Sequence, residues 1–96
     1  MPETDAVRIV NVPEAERYDA FVGDRHAGQL NYARSDDHVT FLHTEVDVAF
    51  EGRGVASALA EAAFADARAR DTPVVVACPF ISHYLERHPE VADLVV

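Results

Sequence analysis

Cys78 is the only cysteine of the chain, set between an apolar run, PVVVA, and a segment, PFISHYLERH, that suits a short helix. A thiol in that setting serves as a nucleophile, as a wall of a ligand pocket, or as a small buried side chain. Nucleophilic use requires that the thiolate be favoured by a helix N-terminus or a neighbouring cation. Pro79 at the first helical position supplies the helix end. The cation is less defined, because His83 and His88 project roughly 140° apart around a helix and at most one can face the sulfur.

A second constellation is the turn FEGRGVA, Phe50 to Ala56. Two glycines at the mouth of a helix let backbone approach a ligand closely, and the first amides of a helix lack intrahelical partners. Such an end favours a phosphate or diphosphate, with Arg53 adding a charge-assisted contact. The same spacing also suits a plain strand-to-helix turn. The P-loop Lys-Ser/Thr and the third glycine of a dinucleotide fingerprint are both missing, so those two classes are excluded. Upstream, in FLHTEVDV, the side chains of His43, Glu45 and Asp47 share one strand face, opposite Leu42, Thr44, Val46 and Val48. His43 or Glu45 suits a proton acceptor if buried, and a solvated strand face if not.

These residues need a scaffold. The segment AVRIVNV reads as a strand, Pro13 and Glu14 as a turn, and RYDAFVG as a second strand. Gly23-Asp24 and the polar DRHAG separate it from GQLNYAR, and SDDH separates that from a long fourth strand, VTFLHTEVDV. From Gly52 the period lengthens to about 3.6. Val55, Leu59, Ala63 and Ala67 form one row of an amphipathic helix ending near Asp71, with Ser57, Glu61 and Arg68 on another face. PVVVAC then reads as an apolar fifth strand, central in the sheet and ending at Cys78. A second helix runs from Pro79 to just before Pro89.

In this order the motifs resemble the GNAT acyltransferase superfamily. Its Gln/Arg-x-x-Gly-x-Gly/Ala signature corresponds here to Glu51, Gly52, Arg53, Gly54, Val55 and Ala56. A compact stand-alone subfamily is closer, through HTEV on the fourth strand, GRGVA at the turn and CPF…Y…HPE near the end. The likeness covers about Val7 to Glu90. It implies an α/β fold with a mixed, mostly antiparallel sheet of about five strands, one long helix and one short C-terminal helix. It also implies acetyl-coenzyme A as cofactor, with the diphosphate on Gly52, Arg53, Gly54, Val55 and Ala56. Backbone groups of Val46 and Val48 would meet the pantetheine arm where strands four and five splay. Cys78 would lie beside the thioester, as acyl acceptor, proton donor or filler, and Tyr84 competes for the proton-donor role. Glu51 departs from the signature, and a carboxylate there should point away from the ligand.

The chain of 96 residues is expected to form one domain with one core. A formal net charge of -9 disfavours nucleic acid and suits a cationic amine acceptor, a small molecule or a peptide. With one cysteine, no charged-then-apolar leader and no long apolar run, a soluble cytoplasmic protein without structural disulfides is expected. Neither a metal nor a membrane is expected, and the oligomeric state stays open. The functional expectation is transfer of an acetyl group to an amine, directly or through an acetyl-cysteine. The rival is a non-catalytic module that binds coenzyme A or another protein.

Overall fold

A computed structural model describes residues 6–96. Four strands form the expected antiparallel meander: β1 (Val7–Val12), β2 (Arg17–Val22), β3 (Arg25–Arg34) and β4 (Val39–Val46). The long helix α1 (Val55–Ala69) follows, then β5 (Val74–Val76), which pairs parallel with β4, and α2 (Pro79–Arg87). A 3-10 segment, Pro89–Leu94, follows, and Val95 and Val96 end the described chain beside β5. The sheet order is β1-β2-β3-β4-β5. The architecture is the α/β arrangement that the resemblance implied.

Helix α1 forms where alanine dominates, and it is held by its apolar side. Val55, Leu59, Ala63 and Ala67 are all buried, joined by Ala60 and Phe64, while Ser57, Glu61 and Arg68 stay exposed. Burying this stripe against Leu30, Tyr32 and Phe41 builds a single core. Phe64 meets Phe41 edge to face at 5.1 Å and stacks on Tyr84 of α2 at 6.0 Å. Both helices therefore lie on one face of the sheet.

Four expectations change. Only Gly23 and Asp24 form the β2-β3 turn, and Arg25, His26 and Ala27 are already in the strand. Arg25 and His26 are exposed although they pair with β2, whereas Ala27, at an irregularity of the ladder, is buried. Strand β5 is an edge rather than a central strand, three residues long, with Val95 touching it through one isolated bridge. Its valines are covered by neighbouring core and tail, which an apolar run alone does not distinguish from burial between two strands. The strand stops at Val76, so Cys78 is the N-cap of α2. Finally, β4 ends at Val46 and Val48 lies in a 3-10 turn, Val48–Phe50, 80% exposed, so it offers no strand backbone.

Within β4 the alternation is also interrupted. Asn31 pairs with His43 and Tyr32 with Phe41, leaving Leu42 as an extra, unpaired residue. This bulge turns the face over. Val39 and Phe41 point into the core before it, and Thr44 and Val46 take the partly buried positions after it, while His43 and Glu45 are exposed.

Candidate active site

Pairing between β4 and β5 runs only from Val39-Val74 to Phe41-Val76, closed by a bond from Ala77 N–H to the Phe41 carbonyl at 3.0 Å. Beyond it the strands part. On the other edge of β4, Asp47 N–H donates to Ala27 O at 2.8 Å, so by strand alternation the Val46 N–H points away from β3, into the gap. Gly28, opposite Val46, permits this packing. A Cβ there would lie 2.6 Å from the Glu45 carbonyl oxygen and 3.3 Å from Val55 Cγ1.

Cys78 lies beyond the end of β5 and Thr44 beyond Phe41, the last β4 residue paired with β5. The thiol donates a weak bond to Thr44 Oγ1 at 3.5 Å, linking the two diverging ends. The sulfur is buried, as a residue at the root of a gap should be. Among the described residues neither His83 of α2 nor His88, its C-cap, bonds to the thiol. His83 faces Glu86 at 3.8 Å, and His88 stacks on Tyr84 at 4.1 Å with its Nδ1 bonded to Glu90 at 3.0 Å.

The gap leads toward the glycine turn. Gly52 and Gly54 both have φ of +79°, a left-handed conformation that glycine adopts without strain, and Gly54 is the N-cap of α1. A Cβ on either would meet no atom within 4 Å, so backbone conformation rather than crowding selects glycine. No side chain caps α1 and no acidic residue occupies its first turn, so its leading amides are left to solvent or an anion. Val46, Gly52, Gly54, Val55, Ala56 and Phe50 line one cavity of about 280 Å³ here. The bare backbone and free helix end suit a diphosphate. Glu51 is exposed but also lines this cavity, so it is not turned wholly away. The Arg53 guanidinium lies over the Phe50 ring, 5.5 Å from its centroid.

Tyr84 stands in a second, adjoining groove of about 510 Å³ between α1 and α2, lined also by Gly54, Ser57, Glu61, His88 and Glu90. Only 6% of the residue is exposed, and no acceptor for its hydroxyl is found among the described residues. Burial first, then the charges of Glu61 and Glu90, push its phenol above the ordinary value, which keeps the proton on Oη at neutral pH. The other suggested proton acceptors are elsewhere. His43 and Glu45 bond to each other at 2.7 Å on the exposed, helix-free face, with side chains 57% and 63% accessible.

Thr44, Glu61 and Glu90 were not singled out from the sequence as site residues. The only signal was HTEV, whose threonine is turned toward Cys78 by the bulge, which no local pattern announces.

A family model described as GCN5-related N-acetyltransferase matches residues 17–94. The solution NMR structure of a GCN5-like protein from Staphylococcus aureus superposes with a TM-score of 0.68 at 20% identity. The superposition covers 99% of this chain and 91% of that chain. No curated protein matches the chain significantly. The splayed strands, the left-handed glycine turn and the uncapped helix are thus found in a chain that belongs to the GCN5-related N-acetyltransferase family.

Proposed function

We propose that the protein binds acetyl-coenzyme A and transfers its acetyl group to an amine. The observation that carries this reading is that Val46, whose amide faces the β4-β5 gap, lines one cavity with Gly52, Gly54, Val55 and Ala56. Val46 would hold the pantetheine arm, and the amides of Val55 and Ala56, with Gly52, Gly54 and Arg53, the diphosphate. When bound, the cofactor supplies an acyl group activated as a thioester.

The chain's own groups then have separate tasks. The Val46 N–H is a fixed donor in a partly buried gap, positioned to favour negative charge on a carbonyl oxygen. Tyr84 Oη holds a proton available to a leaving thiolate. Cys78 is tied to Thr44 and has no histidine at hand, which supports direct attack by the amine over an acetyl-cysteine. Cys78 in this reading shapes the root of the gap.

Intact-protein mass spectrometry with acetyl-coenzyme A, run on wild type and Cys78→Ala beside a thermal shift, tests these points. Expected are a rise in Tm for both proteins, no stable acetyl adduct, and turnover by both when an amine is added. An adduct that disappears in Cys78→Ala and is chased by amine would establish the covalent route instead. Stabilisation without turnover across amines would leave a coenzyme A-binding module, and no shift at saturating cofactor would end the reading.

A further inference from the structure

We infer that Arg25 is a cationic contact for the cofactor's diphosphate, reaching the glycine turn from a different strand. The inference rests on the reading that this turn holds coenzyme A. Arg25 is the first residue of β3, in a hairpin remote in sequence from the turn. Its guanidinium nevertheless lies over the Phe50 ring at 5.0 Å, and that of Arg53 lies 5.5 Å from the same ring. Phe50 is buried and lines the cavity with Gly52 and Gly54. One aromatic ring thus gathers two positive charges beside the turn.

The neighbourhood explains why they would be needed. Glu51 lines the same cavity, Asp47 caps the 3-10 turn by accepting from Ala49 N–H, and Asp24 adjoins Arg25 in the hairpin. A carboxylate in the lining of a site for a dianion opposes binding, and one helix end is a weak, screened counterweight. Arg25 has no carboxylate within ion-pair distance among the described residues. A guanidinium stacked on a ring keeps its in-plane N–H donors free to grip phosphate oxygens. Glu51 removes charge from the turn, and β3 returns it.

Isothermal titration of coenzyme A and of dephospho-coenzyme A into wild type, Arg25→Gln, Arg25→Lys and Arg70→Gln decides this. Arg70 lies at the far end of α1 and removes the same net charge. Arg25→Gln should weaken both ligands about tenfold and flatten the salt dependence, Arg25→Lys should recover part of the loss, and Arg70→Gln should bind as wild type. Equal affinity in Arg25→Gln and wild type, or equal weakening in Arg70→Gln, overturns the inference while leaving the proposed function standing. A loss confined to coenzyme A overturns the assignment to the diphosphate, since only that ligand carries the 3′-phosphate. Failure of wild type to bind either ligand is a failure of the proposed function itself.

Discussion

Tyr18 donates its hydroxyl to Asp66 Oδ2 at 2.7 Å, and Arg70 Nε reaches the other oxygen at 3.1 Å, tying β2 to the last turns of α1. Burial raises the Tyr18 phenol far above its ordinary value, and the bond to Asp66 adds to it. Burial works against ionised Asp66, but Tyr18 and Arg70 outweigh it and hold the carboxyl below the usual range. The folded chain therefore keeps the phenol protons of Tyr18 and Tyr84 more tightly than the unfolded chain does. Their stabilisation is complete below about pH 10 and declines above it as the unfolded chain ionises first. Tm measured from pH 8 upward should fall beyond that point, less steeply in Tyr18→Phe. At neutral pH the same variant should lose about 1 to 2 kcal/mol by chemical denaturation, the cost of leaving Asp66 short of a donor. Tyr84→Phe keeps the stack with Phe64 and His88 but lacks the proton, so kcat should drop about 100-fold with little change in KM, measured by steady-state acetylation.

The glycine turn and the β4 bulge together decide whether the site exists. Gly54→Ala forces a Cβ into a left-handed residue and should cost about 1 to 2 kcal/mol in stability, read by denaturant unfolding, with weaker cofactor binding by titration. Gly28→Ala meets the backbone of β4 at 2.6 Å and should be worse, because no side chain can move to relieve it. Deleting Leu42 would leave Tyr32-Phe41 and Asn31-His43 as consecutive pairs of a regular ladder, so Thr44 and Val46 should keep their faces and only the bulge's added twist be lost, read as weaker cofactor binding by titration with little change in Tm. Helix α1 was legible because Val55, Leu59, Ala63 and Ala67 repeat at one period, and the turn before it because Gly52 and Gly54 stand where that period begins, but not its left-handed backbone, which glycine permits without requiring. The bulge was not, since an inserted Leu42 looks like any strand residue. The edge place of β5 was equally hidden, because what covers Val74 is the remote tail. Cys78 and Tyr84 could be named from sequence, but not their companions Thr44, Glu61 and Glu90, which come from other elements.

At the scale of the whole chain, a net charge of -9 is carried over a surface whose basic residues are all arginines. Several are committed to structure: Arg17 to Asp19, Arg70 to Asp66, and Arg68 to Asp93 and the Glu90 carbonyl. The field should draw in a cationic acceptor, so the KM for a diamine should rise with ionic strength, whereas that of an uncharged amine should not. Among the described residues no helix is long and apolar enough to cross a membrane. Beyond Phe41, β4 keeps one edge without a peptide neighbour, and the Val46 amide on it is held in geometry ready for a partner. The sheet is in that sense one strand short beside its β5 edge, and an extended ligand would complete it. Amide hydrogen exchange would reveal this directly: the Val46 proton should exchange quickly in the free protein and slow sharply with cofactor, while Glu45 and Asp47, already turned to β3, change little.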